Sequence, residues 1–266
     1  MPNLVVVGSG IKSLAHLTEE TKRVIRNADK VLYLVNEEIL KSWICRESKE
    51  AESLEPIYFN YPKRIDAYYH LTSYMISEYR RVKNLCVVYY GHPTVFAASA
   101  LNAVKQIQAE SGQARILPAI SAMDCLFSDL QVDPGEQGCF SIDATELLLY
   151  ERSMDVSSHT ILWQVANLAS HDTQSTAQLS VLTDYLNKYY SYEQRICIYE
   201  AAILPTLKAR VEWIKLDILD KSDITPTSTL YIPPNPQKKL SQKYVDLLGI
   251  NIKNYQLSTE LNTPSK

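Results

Sequence analysis

Leu85-Cys86-Val87-Val88-Tyr89-Tyr90-Gly91-His92-Pro93-Thr94-Val95-Phe96 decides how this chain is read. A dense apolar run ends in a Gly/His/Pro turn, and an alanine-rich helical segment over residues 97–110 follows. The spacing predicts a buried strand, a loop at its carboxyl end and a helix. In an open α/β sheet ligands bind at that edge, which brings two tyrosines and an imidazole to the place where a small molecule would sit. The chain has only seven glycines. Gly91 reads either as an ordinary tight turn or as a backbone position that must bend or lie close to a ligand.

Towards the N-terminus, Leu4-Val5-Val6-Val7 runs into Gly8-Ser9-Gly10, a second buried strand opening into a glycine loop. A dinucleotide fingerprint would place its third glycine or alanine at position 13, but Ser13 stands there. The clearest helix start comes later, at Thr18 followed by Glu19 and Glu20. A pyrophosphate on a helix N-terminus is therefore not expected, and a ligand without phosphates fits better. Residues 18–28 and 37–45 read as helices, and residues 30–35 as a strand between them. Strands alternating with helices predict a mainly parallel, doubly covered sheet.

Residues 65–82 read as an amphipathic helix, with Ile65, Tyr68, Tyr69, Met75, Ile76, Tyr79 and Val82 recurring at helical steps and Asp66 near its positive end. Tyr58, Tyr61, Arg64 and Tyr68 lie just before or within the first turns. Arg64 and Tyr68 are four apart and share a helix face. A guanidinium beside a phenol stabilises the phenolate, so the pair reads either as a base with a cationic helper or as a tyrosine packed under an arginine stem.

Beyond the organising stretch, residues 115–117 give a short strand, Ser121 an N-cap for a helix over 122–130, and Asp133-Pro134-Gly135 a turn. Strand candidates at 139–143, 160–164, 195–200, 211–214 and 227–232 have fewer intervening helices, which predicts a mixed sheet. Gln164 ends an apolar strand with an amide able to donate and accept, as an adenine edge or a buried structural contact each require. Pro233 and Pro234 close the final strand. Residues 237–248 read as a last helix ended by Gly249, and the polar tail as frayed. The expected organisation is an α/β fold of two domains, 1–119 and 120–250, followed by a polar tail at 251–266.

At 266 residues the chain can bury a substantial core without staples. Hydrophobic and charged shares of 46% and 21% fit a soluble globular protein, and a net charge of -3 gives no reason to expect a nucleic-acid partner. Cys45, Cys86, Cys125, Cys139 and Cys197 are odd in number, scattered and mostly within apolar runs, as reduced core thiols of a cytoplasmic protein would be. No apolar stretch is long enough to span a membrane, and the N-terminus lacks the order of a signal peptide. Five isolated histidines, without a CxxC pair or an HExxH helix, give no metal site.

With these pieces placed, the chain resembles the tetrapyrrole methylase superfamily, which uses S-adenosylmethionine in a cleft between two α/β domains. The resemblance rests on VVVGSG with Leu17-Thr18, on YGHPTVF from Tyr90, on PAISAMDCLFSDL from Pro118, on ILWQVA from Ile161 and on TSTLYIPP from Thr227. Within that superfamily it is most similar to the borosin α-N-methyltransferases, through Arg64-Ile65-Asp66-Ala67-Tyr68 with Tyr58 before it and Tyr90 after. The segment from Tyr58 to Arg64 looks shorter than in that group, which leaves Tyr58 and Tyr61 both open for the upstream tyrosine role.

The resemblance implies that Tyr90, His92, Val95 and Ala97 lie along the cofactor, joined by Ala122, Gln164, Ala201, Ser228 and Thr229. It implies that Tyr68 with Arg64 removes an amide proton while Tyr58 or Tyr90 holds the carbonyl oxygen. It further implies methylation of backbone amides in a precursor peptide. The short polar C-terminal stretch favours a peptide supplied in trans, and a homodimer, or a heterotetramer with two precursor chains, is the expected assembly. A methyltransferase of a tetrapyrrole or other small molecule and a catalytically silent peptide-binding module are the alternatives.

Overall fold

Leu4, Val6, Leu85 and Val87 point to one side of their strands, and Val5, Val7, Cys86 and Val88 to the other, yet all eight are buried. Such two-sided burial requires a sheet covered on both faces, which is why these strands are continuous apolar runs rather than alternating ones. The computed structural model describes residues 2–168, 178–235 and 240–252. Its first half runs β1 (Asn3–Gly8), α1 (Glu19–Asn27), β2 (Lys30–Leu34), α2 (Glu38–Glu47), β3 (Ala51–Ser53), α3 (Glu55–Phe59), α4 (Arg64–Arg81), β4 (Asn84–Tyr89), α5 (Ala98–Ala109) and β5 (Gln113–Ile116). The strands form one sheet in the order β3-β2-β4-β1-β5, and every pairing is parallel. Helices α1 and α2 contribute Ile25, Leu40, Trp43 and Ile44 to one face, and α4 and α5 contribute Leu71, Met75, Ala100 and Ile107 to the other.

The second half runs α6 (Ala122–Leu130), α7 (Pro134–Gln137), β6 (Cys139–Asp143), α8 (Ala144–Leu149), β7 (His159–Trp163), α9 (Leu179–Leu186), β8 (Arg195–Glu200), β9 (Arg210–Lys215), β10 (Thr229–Ile232) and α10 (Gln242–Leu247). Its sheet has the order β6-β7-β10-β8-β9. Only β6 and β7 pair in parallel; the other three pairings are antiparallel, so the sheet is mixed. One face packs Leu162, Ile198 and Leu230 on α9 through Leu182 and Leu186. The opposite face, through Ile161, Cys197, Tyr199 and Tyr231, packs on Cys125 and Leu126 of α6 and on Ile11 from the loop after β1. That third contact ties the glycine loop of the first half to the second sheet.

Ser121 caps α6 as its sequence predicts, in a reciprocal capping box with Asp124. Some elements were not expected, and some expectations need correction. The polar segment Ala51–Ser53 forms an edge strand on β2, and Glu55–Phe59, with Pro56 at its start, forms a helix that periodicity did not show. The Asp133-Pro134-Gly135 turn opens a one-turn helix, with Asp133 accepting from the Gly135 amide. Cys86, Cys125 and Cys197 are buried, but Cys45 and Cys139 are exposed and so are not core thiols. The expected helix at 237–248 begins among residues outside the described set and is seen over Gln242–Leu247, with Gly249 following in a left-handed conformation. The polar tail expected at 251–266 lies outside the described residues from 253 onward. Among the described residues no helix is long and apolar enough to cross a membrane.

Candidate active site

The loops that leave β1 and β4 clasp each other. Gly10 and Gly91 exchange backbone hydrogen bonds, N to O at 3.2 and 3.1 Å, in an isolated antiparallel bridge. Both sit at positive φ, +70° and +69°, where a side chain is strained. Gly91 is therefore more than an ordinary turn: it bends so that the backbone of the second loop can bond the first. After Gly10 the chain makes a 3₁₀ turn over Ser13–His16 rather than a long helix. The imidazole of His16 folds back, and its Nδ1 accepts from the amides of Ile11 and Lys12, each at 3.2 Å. Burial, and then the Lys12 cation, hold His16 below the usual histidine range, so the neutral acceptor form is favoured. Those two amides are occupied, and the loop does not offer a phosphate the open nest of donors that a dinucleotide fingerprint provides.

Beside the clasp lies a cavity of about 640 Å³, in the range of small-molecule sites. Tyr90, His92 and Val95 line it from the first half, and Ala122, Gln164, Ala201, Ser228 and Thr229 from the second. These are eight of the nine positions that the sequence assigned to a cofactor. Ala97, the ninth, borders an adjoining cavity instead. Gln164 follows β7 at φ +59°, and its Oε1 accepts from Asn167 Nδ2 at 3.0 Å. Nδ1 of His92 is 2.9 Å from the Thr94 hydroxyl. Phe96 and Trp163 close one wall with their rings edge to face, centroids 6.0 Å apart.

The far wall carries charge. Glu200 Oε1 accepts from Ser228 Oγ at 2.6 Å, Thr225 Oγ1 at 2.8 Å and Arg210 Nη1 at 2.9 Å. Burial alone would push this carboxyl up, but the three hydrogen bonds outweigh it and hold Glu200 below the usual carboxylate range. Arg210 is also tied to Glu212 and to the Asp223 carbonyl.

The adjoining cavity, about 260 Å³, is lined by Tyr58, Tyr68 and Tyr90 together with Phe59, Ala97 and Ser99, among others. Asn36, Tyr90, Val95 and Phe96 border both cavities and stand where they adjoin. The Tyr58 and Tyr68 rings stand 6.4 Å apart. Burial, and then the neighbouring Tyr58, push the Tyr68 phenol up, while Arg64 opposes them. Arg64 is the first residue of α4 and, unlike Tyr68, does not line the cavity. Tyr61 stacks on His70 with centroids 4.1 Å apart and stays outside it. Of the two upstream tyrosines, Tyr58 is the one that reaches the cavity.

Sequence reasoning did not single out Asn36, Trp163, Glu200 or Arg210. Trp163 adjoins Gln164 and could have been taken with it. Glu200 and Arg210 end and begin strands whose edge becomes visible only when the order of the second sheet is known.

The model of the tetrapyrrole (corrin/porphyrin) methylases matches residues 3–202. A methyltransferase/ribosomally synthesized type I borosin cyclic peptide precursor of Mycena rosella is 34% identical over 255 residues, 93% of this chain and 64% of that protein. The gymnopeptides precursor of Gymnopus fusipes is 34% identical over 254 residues, 92% of this chain and 60% of that protein. The chain thus spans less than two thirds of the length of these relatives. Uroporphyrin-III C-methyltransferase of Thermus thermophilus superposes with a TM-score of 0.63 at 14% identity, covering 88% of this chain and 93% of that one. Its complex with S-adenosylhomocysteine gives 0.61 at 13% identity, covering 87% and 92%. Those structures share the fold, a parallel five-stranded sheet followed by a mixed one, and the match across residues 3–202 shows the family: the chain belongs to the tetrapyrrole methylases.

Proposed function

We propose that the chain is an S-adenosylmethionine-dependent α-N-methyltransferase that acts on backbone amides of a precursor peptide supplied as a separate chain. The supporting observation is the pair of abutting cavities with Tyr90 at their junction. The larger fits an adenosyl sulfonium compound in kind: an aromatic wall at Phe96 and Trp163, an amide at Gln164 and a carboxylate at Glu200. The smaller, with four phenols and the single carboxylate of Glu55, suits a neutral peptide strand. The relatives named above as methyltransferase/peptide precursors point to the same substrate class. The division near residue 119, with the site between two domains, belongs to this reading.

An amide nitrogen is a poor nucleophile because its lone pair is delocalised into the carbonyl, the resonance that keeps the peptide planar. The bound S-adenosylmethionine supplies an electrophilic methyl group; the residues must make the nitrogen able to accept it. Tyr68 takes the amide proton, and Tyr58 or Tyr90 donates to the carbonyl oxygen as negative charge gathers there. An ordinary phenol is about 0.1% ionised at pH 7, and burial makes Tyr68 less so. Arg64 offsets part of that cost.

The test incubates the protein with S-adenosylmethionine and the peptide encoded beside its gene, and locates added CH₂ masses by fragmentation. Backbone methylation that Tyr68→Phe abolishes, with S-adenosylhomocysteine affinity retained, is the expected result. Methylation at the parental rate by Tyr68→Phe removes the base. A protein that binds peptide and never turns over is a silent module, and the reading fails.

A further inference from the structure

All three hydrogen bonds to Glu200 converge on one oxygen, Oε1. Oε2 has no partner among the described residues. The residue lines the larger cavity at the carboxyl end of β8. In the sheet order β6-β7-β10-β8-β9, that end lies beside the start of β10 and on the same edge as the end of β7. The two polar side chains packed against Glu200 from this edge, Ser228 and Arg210, are already committed. Ser228 Oγ donates to Glu200 and accepts from the Thr225 amide at 2.9 Å, so its one proton is not free for a ligand. Arg210 is held by two carboxylates and a carbonyl. The network therefore fixes the carboxylate by one oxygen and leaves the other as an accessible, pre-oriented acceptor. Its charge is only partly neutralised by the single guanidinium on Oε1.

We propose that Glu200 is a cofactor-contacting residue whose Oε2 accepts a hydrogen bond from a donor group of the nucleoside in this cavity, a ribose hydroxyl or the adenine 6-amino group. The inference rests on the reading of the cavity as an adenosyl site and adds a residue that the sequence did not assign. A carboxylate oxygen accepts and does not donate. The site thus discriminates by what the nucleoside offers: a donor is welcomed, and an acceptor in the same place is repelled. Ser228 and Thr225 act at one remove, as positioning residues that keep Oε1 occupied and Oε2 turned to the ligand.

Glu200→Gln is the informative substitution. It preserves shape and can keep an oxygen on Ser228, Thr225 and Arg210, but it turns the free acceptor into an NH₂ donor. Calorimetry with S-adenosylhomocysteine is expected to show a loss of about tenfold or more in affinity, the scale of a hydrogen bond to a charged group. On the parent protein, which needs no substitution to fold, the 2′-deoxy and 3′-deoxy analogues and the 6-oxo (inosyl) analogue test the same contact. One of these changes should cost about the same factor, and Glu200→Gln should be insensitive to that change alone, which identifies the donor. If the parent binds S-adenosylhomocysteine while Glu200→Gln and every analogue bind within about twofold of it, the contact does not exist and only this inference falls. If the variant loses affinity for all the analogues by one common factor, the role of Glu200 is structural and the inference is again overturned. If the parent gives no heat with S-adenosylhomocysteine, the cavity is not an adenosyl site and both readings fail.

Discussion

Gly8→Ala tests the clasp at the heart of the site. A Cβ at position 8 would stand 2.2 Å from the Gly91 carbonyl oxygen, 2.6 Å from Ala119 Cβ and 2.8 Å from Pro93 Cδ. Non-bonded carbon atoms prefer roughly 3.5–4.0 Å. Two of the three obstacles are backbone or a short rigid side chain, and the third is a proline ring, so none can swing aside. The carbonyl that must retreat is the one that accepts from Gly10. Overpacking of this kind costs typically 1–3 kcal/mol and sometimes more; with three contacts this tight, about 3 kcal/mol is the working figure. At roughly 2–4 °C per kcal/mol for a chain of this size, the melting temperature should fall by about 6–12 °C. Gly91→Ala provides the comparison: its Cβ meets only Ile11 Cδ1, at 3.4 Å, and the cost is the left-handed backbone, about 1–2 kcal/mol. Differential scanning calorimetry ranks the two, and titration with S-adenosylhomocysteine at a temperature where both are folded should show Gly8→Ala at least tenfold weaker than the parent. A Gly8→Ala protein that melts within about 2 °C of the parent, or that is less damaged than Gly91→Ala, would refute the argument that the two loops are locked backbone to backbone.

Other perturbations have equally definite outcomes. Because Tyr68 lies above the ordinary phenol value, single-turnover rates should climb with pH from about 7 towards 10; Arg64→Gln should move that climb to higher pH, and a flat profile in both proteins would remove the phenolate. His16 sits below its usual value of 6.5. Its neutral form belongs to the folded state, so its contribution to stability is complete above 6.5 and is lost as pH falls through the lower native value. His16→Leu should abolish that part of the acid dependence of melting and weaken S-adenosylhomocysteine binding, and an unchanged pH profile would contradict it. Lys30→Met leaves Glu50, Glu52 and Glu78 without the ammonium they surround at 3.1, 2.6 and 2.8 Å. Glu50 is exposed, Glu52 is half-buried and Glu78 keeps Arg81. The cost therefore comes from the buried Lys30–Glu78 pair and lies at or below roughly 3 kcal/mol, the low end for breaking a buried pair, hence a fall of up to roughly 6–12 °C in melting temperature, with peptide and cofactor affinities unchanged below it. Of the three tryptophans only Trp163 lines the cavity, so S-adenosylhomocysteine should alter the fluorescence of the parent and not that of Trp163→Phe.

What could be read from the chain follows from where the physics is local. Strands β1, β2 and β4 are apolar on both sides, and α6 begins with a side chain that caps it three residues on; each signal is complete within a few residues. Strand β3 is Ala51-Glu52-Ser53, half-buried and polar, and it is a strand only because β2 offers it an edge. The short helix Glu55–Phe59 is equally invisible to periodicity, yet it carries Tyr58 into the smaller cavity. The nine residues expected along a cofactor came from a resemblance, not from spacing, and eight of them border one cavity. Arg64 and Tyr68 share a helix face as their spacing required, but spacing could not show that only Tyr68 borders the space. The carboxylate of Glu200 was out of reach, since its partners Thr225 and Ser228 are 25 and 28 residues away.

The order β3-β2-β4-β1-β5 also explains why the larger cavity lies where it does. From β1 the chain passes through α1 to β2 on one side, and from β4 it passes through α5 to β5 on the other. The helices α1 and α5 cover opposite faces of the sheet. Neighbouring strands whose connections part in this way leave a crevice at their carboxyl ends, the switch point at which α/β sheets bind ligands. In a dinucleotide-binding protein, a glycine loop and a helix N-terminus present free amides to that crevice. Here the crevice is bridged by Gly10 and Gly91, and the next two amides are taken by His16. With these four amides spent inside the protein, the loop after β1 offers the switch point no open nest of donors. The open volume is displaced outward, against the edge of the second sheet, where Gln164, Glu200 and Thr229 stand. The same clasp that leaves no cradle for a phosphate thus places the cavity between the two sheets, and Ile11, one residue beyond the bridge, packs on Tyr199 and Tyr231 to hold that second edge in register with it.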